Sequence, residues 1–133
     1  MSTIELPPEP GAFPKSALFD GPYTAVPELP LGKWSVIANQ RIYVLTIHGE
    51  KGGEVSAELN SGDVVDAKWD SKNQRLTFTR VVPNVVKQSW TGYVMAHDPD
   101  DPKMRMAGTF ENIKPIVSPN ASGWYATMNL EKK

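Results

Sequence analysis

The sequence predicts an all-β fold, an eight-stranded antiparallel up-and-down β-barrel that follows a proline-rich extended N-terminal arm. A chain of 133 residues has the length of a single domain. From residue 32 onward, short runs rich in β-branched and aromatic residues alternate with turn residues at a spacing of roughly 8–12 residues, which is typical of sandwiches and barrels. Nearly all connections have hairpin length, which favours up-and-down order. Eight such strands can remove their exposed edges by closing into a barrel.

The predicted strands are short runs bounded by turn residues. In chain order they are residues 33–39, 41–48, 54–59, 64–69, 75–82, 85–96, 104–110 and 123–130. The third run is the clearest, because apolar and polar residues alternate along its whole length. Residues 50–53 (Glu-Lys-Gly-Gly) predict a hairpin turn before it. The longest predicted connection is 111–122, and residues 32–133 together are assigned to the barrel domain.

Residues 1–31 differ in composition from the rest of the chain. Seven of the 12 prolines fall in this stretch, which excludes a long helix or a central strand because proline fixes φ and lacks a backbone donor. The stretch also contains a series of large apolar residues, namely Phe13, Leu18, Phe19, Tyr23, Val26, Leu29 and Leu31. We interpret it as an extended arm that docks on the domain or on a second subunit. The alternative is a loose tail.

Composition and charge exclude several classes of function. The net charge is −1, with 14 basic and 15 acidic residues, so there is no basic surplus to attract nucleic acid. Cysteine is absent, which removes disulfides, thiolate nucleophiles and cysteine-ligated metals. No apolar run approaches the length of a membrane helix, and the N-terminus lacks the features of a signal peptide. We therefore expect a cytoplasmic protein without nucleic-acid or membrane partners.

Alternation along the runs predicts which side chains point into the barrel. For the second run both faces are acceptable, either the one with Ile42 and Val44 or the one with Tyr43 and Leu45. All four tryptophans fall on the predicted inner faces. For the first and the fourth to eighth runs, in chain order, the predicted inner faces are Trp34, Val36, Ala38; Val65, Ala67, Trp69; Leu76, Phe78, Arg80; Val86, Gln88, Trp90, Gly92, Val94; Met104, Met106, Phe110; and Trp124, Ala126, Met128, Leu130. Such a barrel is either filled by its side chains or wide enough for one small ligand, and the sequence leaves both interpretations open.

Three motifs give the chain a resemblance to the avidin/streptavidin-type barrels of the calycin group. Gly32-Lys33-Trp34 resembles the Gly-x-Trp that opens the first strand in that family. Residues 88–93 (Gln-Ser-Trp-Thr-Gly-Tyr) resemble the sixth strand, and residues 123–127 (Gly-Trp-Tyr-Ala-Thr) resemble the last. The resemblance covers most of residues 32–130. Lipocalins, which are related calycin barrels, usually run longer and end in a helix that this sequence lacks.

The resemblance implies that Trp90, Trp124 and Phe110 stand where avidins place ligand-stacking aromatics. The polar half of the biotin site does not carry over. Avidins read the ureido ring with Asn and Ser in the first strand and with Tyr and Ser in the third, whereas residues 35–38 here are Ser-Val-Ile-Ala and residues 55–58 are Val-Ser-Ala-Glu. A site that lacks such hydrogen-bonding groups loses most of its affinity. We therefore expect no tight binding of biotin.

Few residues offer catalytic or metal-binding chemistry. His48 and His97 have no metal-ligand spacing, and we predict no catalytic residue, metal or cofactor. Asp98, Asp100 and Asp101 could supply oxygen ligands to calcium, but the prolines of that loop also explain it as a rigid turn.

Arg80 and Gln88 are candidate ligand-binding residues because both are predicted to point inward from neighbouring strands. A buried arginine needs a carboxylate or an anionic ligand as its partner; alternatively, Arg80 lies solvated at the barrel mouth. The residues that we predict to contact a ligand are Trp69, Phe78, Arg80, Gln88, Trp90, Phe110 and Trp124.

Three hypotheses about function follow. The leading one is a non-enzymatic barrel that binds a small apolar or aromatic ligand on its tryptophans, oriented by Arg80 or Gln88. The second is a cyclase- or isomerase-type enzyme that shapes a substrate in the cavity, assisted by Arg80, Tyr43 or Glu58. The third is a protein-interaction or inhibitor module with a filled barrel. A homo-oligomer is expected by the resemblance, because avidin-like barrels associate through their outer faces.

Overall fold

The computed structural model describes residues 28–95 and 100–129, and in them eight strands close into one barrel. The strands are β1 (Gly32–Ala38), β2 (Arg41–Lys51), β3 (Glu54–Leu59), β4 (Asp63–Asp70), β5 (Arg75–Val82), β6 (Val86–Val94), β7 (Lys103–Lys114) and β8 (Ala121–Asn129). Each strand pairs antiparallel with the next, and β8 pairs with β1. The predicted all-β, up-and-down barrel is therefore confirmed. Of the predicted arm, residues 1–27 lie outside the described part of the chain.

β2 and β7 extend furthest beyond their predicted ends. β2 continues to Lys51, because a bulge between Ile47 and Gly49 lets it stay paired with β3. The hairpin turn is thereby reduced to Gly52 and Gly53, whose φ angles of 59° and 90° favour glycine. β7 continues to Lys114 and shortens the predicted long connection before β8. Within residues 28–95 and 100–129, no helix is long and apolar enough to cross a membrane.

The barrel interior is packed with apolar side chains. All four tryptophans are buried, and none exposes more than 5% of its surface. In β2 the inner face carries Leu45 and Ile47, whereas Ile42 on the other face is 71% exposed, which resolves the ambiguity of the sequence. No polar or charged residue is fully buried among the residues that the structure describes. The interior is thus a hydrophobic core, as expected for a barrel of this strand number.

The predicted orientation of Val65 is wrong. Val65 is 42% exposed, and Val64 packs against the core in its place. The cause is an irregularity in the pairing of β4 with β5 between Val65 and Lys68, where Asp66 has a φ of 53°. A bulge of this kind shifts the alternation by one residue, so Ala67 and Trp69 keep the predicted orientation while Val65 does not.

The indole of Trp124 lies against a pair of glycines. Gly92 and Gly108 face each other across β6 and β7, and Trp124 is the partner of Gly108 on β8. A Cβ atom on Gly92 would lie 2.3 Å from a ring carbon of Trp124. The indole Nε1–H donates to the carbonyl oxygens of Thr91 and Thr109, at 3.2 and 3.1 Å. The missing side chain of Gly92 therefore leaves the space that the indole occupies, whereas that of Gly108 permits close approach to the backbone of β6.

The two ends of the barrel differ in character. We call the end that carries the β1–β2, β3–β4, β5–β6 and β7–β8 connections the mouth, and the opposite end the base. At the base, Leu29 packs into the core, and the indole of Trp34 donates to the carbonyl oxygen of Pro30 at 3.1 Å. The segment that leads into β1 therefore covers the base with apolar contacts.

The β4–β5 turn, also at the base, is organised by the carboxylate of Asp70. Its Oδ2 accepts from the side-chain amide of Asn73 at 2.8 Å, and its Oδ1 accepts from the backbone N–H of Lys72 at 3.1 Å. The Asn73 amide, the turn N–H groups and the charge of Arg75 hold the pKa of Asp70 below its ordinary value of 3.8. The ionised carboxylate thus stabilises the folded state.

We expect Asp70→Asn to lower the melting temperature at pH 7. The folded-state pKa of Asp70 lies below its unfolded value, so this stabilisation is fully present above the unfolded value and is lost as the pH falls through the folded one. The difference between wild type and D70N should therefore shrink below about pH 4. Thermal unfolding followed by circular dichroism between pH 2 and 7 measures it. Asp63→Asn, an exposed change at the other end of the same strand, is the control, and an equal pH response of both variants would contradict the prediction.

Candidate functional site

A row of three polar side chains crosses β5, β6 and β7 just inside the mouth. Arg80 pairs with Gln88, and Gln88 pairs with Asn112. The Nη1 of Arg80 donates to Oε1 of Gln88 at 3.0 Å, and Nε2 of Gln88 donates to Oδ1 of Asn112 at 2.9 Å. Arg80 and Gln88 thus lie on the inner face, as the alternation predicted, and each holds the next in position.

The guanidinium of Arg80 is bound by neutral groups. Its Nε donates to the carbonyl oxygen of Ser61 at 2.8 Å, and its Nη2 donates to the Ser61 hydroxyl at 2.9 Å. The guanidinium carbon lies 5.6 Å from the ring centroid of Tyr43, within the range of a cation–π contact. Arg80 takes part in none of the ion pairs found among the described residues. It is partly buried, so solvent at the mouth shares in stabilising its charge.

A row of three stacked aromatic rings lies directly beneath the polar row. The ring of Trp90 stacks on Phe78 at a centroid distance of 5.4 Å and on Phe110 at 4.7 Å, with interplanar angles of 20° and 15°. The Nε1 of Trp90 donates to Oε1 of Gln88 at 3.1 Å, which ties the two rows together. All three rings are buried, so the aromatic row forms a rigid apolar floor under the polar groups.

A small pocket of about 150 Å³ opens beside these rows at the mouth. Its wall comprises Asn39, Gln88, Phe110, Asn112, Pro119, Asn120, Ala121 and Ser122. The β1–β2 turn, three inner positions of β6 and β7, the β7–β8 connection and the start of β8 bring these residues together. The volume is about half of the lower limit for sites that hold drug-sized ligands, so the pocket fits a small molecule or one end of a larger one.

The hydrogen bonds of the wall leave one acceptor without a partner. The hydroxyl of Ser122 donates to Oδ1 of Asn39 at 2.8 Å, and Oδ1 of Asn112 accepts from Gln88. The Oδ1 of Asn120 is buried and has no hydrogen-bond partner. A buried acceptor without a donor destabilises the protein by about 1–3 kcal/mol. Asn120 lines the pocket, so its side-chain oxygen is a candidate acceptor for a donor group of a ligand.

The structure separates the seven predicted ligand-contact residues into two groups. Phe78, Arg80, Gln88, Trp90 and Phe110 lie together at the mouth. Trp69 lies at the base, where it is the partner of Leu76 on β5, and Trp124 covers the glycine pair. Direct contact of any of the seven with a ligand stays a prediction.

The residues named for the other hypotheses are scattered. Glu58, expected to assist a substrate, lies on the outer face of β3, where its Oε1 is 3.1 Å from the exposed His48. His97 and Asp98 lie outside the described residues. The carboxylate of Asp101 accepts from the backbone N–H of Lys103 and pairs with Arg105, which raises the pKa of that arginine. Glu58 therefore does not join Arg80 and Tyr43 in one site.

Sequence reasoning missed six of the eight residues of the pocket wall, and four of the six are polar. Asn39, Asn120 and Ser122 come from turns or strand beginnings, where alternation carries no information. Asn112 follows Phe110 by two residues and was missed because the predicted strand ended at Phe110. The sequence Asn120-Ala121-Ser122 predicted only a turn, not a binding wall.

Comparison of the chain with protein-family profiles, with curated proteins and with solved structures finds no match. The resemblance to avidin-type barrels therefore stays a prediction beyond the barrel fold itself. The expected homo-oligomer and the cytoplasmic location also stay predictions.

Proposed function

We propose that the protein is a non-enzymatic barrel that binds a small molecule in the pocket at its mouth. The observation that carries this proposal is the buried Oδ1 of Asn120, which lacks a partner beside a pocket of about 150 Å³. Proteins rarely leave a buried polar atom unsatisfied. A ligand that donates a hydrogen bond to this oxygen would remove the penalty, and this gain would add to its affinity.

The chemistry of the wall favours a neutral ligand. Its side chains are amides, a hydroxyl, a phenyl ring and small apolar groups, and none of the wall residues carries a charge at neutral pH. Phe110 offers an apolar surface, and the amides of Asn112 and Asn120 offer polar contacts. The ligand is therefore a flat molecule with an apolar face and at least one N–H or O–H donor. Arg80 contributes indirectly, because it holds Gln88 in place.

The same wall argues for binding rather than catalysis. General acid–base chemistry needs a titratable side chain within hydrogen-bond reach of the substrate. Asp, Glu, His, Lys, Tyr and Cys are all missing from the wall that the structure places around the pocket. The enzyme hypothesis has no group there that could move a proton, whereas the binding hypothesis needs only the groups present.

The test uses benzamide as a probe, because it combines a flat ring with two N–H donors. We expect saturable binding, followed by intrinsic tryptophan fluorescence, to which Trp90 contributes with its ring stacked on Phe110 of the wall. N,N-dimethylbenzamide, which lacks N–H donors, should bind at least ten times more weakly. In Asn120→Leu we expect a similar tenfold loss of benzamide affinity, corresponding to about 1.4 kcal/mol, while the free protein melts at the same or a higher temperature.

The control is Asn129→Leu, the same chemical change at an exposed position near the base. It should leave the affinity for benzamide unchanged. Equal affinity of wild type and N120L for benzamide would overturn the role of Asn120. Failure of benzamide and benzyl alcohol alike to bind would overturn the proposed site.

A further inference from the structure

A second and larger cavity lies at the rim of the mouth. It is a groove of about 490 Å³ between the β5–β6 turn and the end of β7, within the range of volumes that ligand sites have. Its lining comprises Val81, Val82, Asn84, Val85, Val86, Lys87, Lys114 and Pro115. We call it the rim groove. It is separate from the mouth pocket, with which it shares no lining residue.

The rim groove carries two lysines on adjacent strands. Lys87 and Lys114 are direct cross-strand partners, and like charges in that arrangement repel each other. Neither lysine takes part in an ion pair within residues 28–95 and 100–129. A carboxylate placed between them would relieve the repulsion, so the charge pattern of the groove is complementary to an acidic occupant.

The walls of the groove are apolar and open to solvent. Val85 is 68% exposed, and Ile116 and Val117, which follow Pro115, are 77% and 50% exposed. Clustered exposed apolar groups of this kind mark binding surfaces more often than isolated ones do. The occupant should therefore combine aliphatic groups with negative charge.

We propose that residues 4–10 of this same chain occupy the rim groove. Their sequence is Ile-Glu-Leu-Pro-Pro-Glu-Pro, which supplies two aliphatic side chains, three prolines and two carboxylates. No lysine or arginine precedes Lys15, so the segment is uniformly acidic. Glu5 and Glu9 pair with Lys87 and Lys114, and Leu6 packs against the valines of the groove. Proline-rich segments bind with little loss of conformational entropy, because their extended backbone is already restricted.

The chain is long enough to reach the groove from the base. The 19 residue steps from Glu9 to Glu28 can span up to about 60 Å. A path from the base of β1 to the mouth and then halfway around eight strands is about 40 Å, given a rise of about 3.3 Å per residue and strand spacings of about 4.8 Å. The distance is covered with length to spare.

The absence of cysteine from the sequence permits a direct test. In the full-length double variant Leu6→Cys/Val85→Cys we expect an intrachain disulfide under mild oxidation, detected by non-reducing electrophoresis and peptide mass spectrometry. The control is Leu6→Cys/Ile42→Cys, whose barrel cysteine replaces a similarly exposed aliphatic residue on β2, at 71% compared with 68% exposure. The Val85 pair should form its disulfide at least ten times faster than the Ile42 pair.

Charge reversal in the Val85 background completes the experiment. Lys87→Glu combined with Lys114→Glu should slow disulfide formation at least fivefold, and circular dichroism should show that the barrel remains folded. Equal rates for the Val85 and Ile42 pairs overturn the proposal, as do disulfides that link two chains. A rate that charge reversal leaves unchanged overturns the pairing of the glutamates with the lysines.

Discussion

Gly108→Ala is expected to destabilise the barrel by about 3 kcal/mol or more, which would leave a domain of this size marginally folded or unfolded. A Cβ atom at this position would lie 1.8 Å from the carbonyl oxygen of Thr91 and 2.7 Å from the Cα of Gly92. Both atoms belong to the backbone of β6 and cannot turn away as a side chain could. The strands would have to separate, and the indole of Trp124 would lose the carbonyl acceptors that it binds on β6 and β7.

The matched control is Gly123→Ala on the neighbouring strand. A Cβ atom there would have its nearest contact at 3.7 Å, the carbonyl oxygen of Gly108, which is an ordinary van der Waals distance. We expect its free energy of unfolding to stay within about 0.5 kcal/mol of wild type. Urea denaturation followed by tryptophan fluorescence measures both variants. If G108A and G123A unfold at the same urea concentration, the close approach of β6 and β7 at Gly108 is refuted.

The sequence predicts the barrel well because alternation is a local signal. In β6 the inner face from Val86 to Val94 follows directly from the period of two, and the structure confirms it. A single irregular residue ends this inference, as Asp66 shows by reversing the orientation of Val65. The residues around Asp66 do not predict a bulge, because an aspartate in a strand is as compatible with a regular, solvent-facing position as with a bulge.

The pocket is less predictable than the fold because it depends on contacts between distant segments. Asn39 and Ser122 form a hydrogen bond although 83 positions separate them in the chain. Arg80 and Gln88 could be predicted as neighbours, since both lie on inner positions flanking one short turn. The contact of Arg80 with Ser61 could not, because the position of the β3–β4 turn beside β5 depends on the register of β4 with β5, which a bulge shifts.

Gln88→Leu is the second change from which we expect a large effect, a loss of about 2–3 kcal/mol in the free energy of unfolding. Gln88 forms the only hydrogen bond between the polar and aromatic rows in the part of the chain that the structure describes, and it has three partners. Its Oε1 accepts from Arg80 and Trp90, and its Nε2 donates to Asn112. Leucine has a similar size but leaves two donors and one acceptor unsatisfied in a partly buried setting, where water replaces only some of the lost bonds.

Gln88→Glu separates the loss of hydrogen bonds from any effect of altered packing at this position. A carboxylate keeps both acceptor bonds and adds an attraction to the guanidinium of Arg80, and the amide of Asn112 can turn to donate to it. We therefore expect Q88E to lose less than about 1 kcal/mol at pH 7, measured by urea denaturation beside Q88L. Equal losses of unfolding free energy in the two variants would mean that the packing of the glutamine side chain, and not its hydrogen bonds, stabilises the mouth. In that case the donors of Arg80 and Trp90 must already be satisfied by solvent, and the rigid floor inferred for the pocket would lose its physical basis.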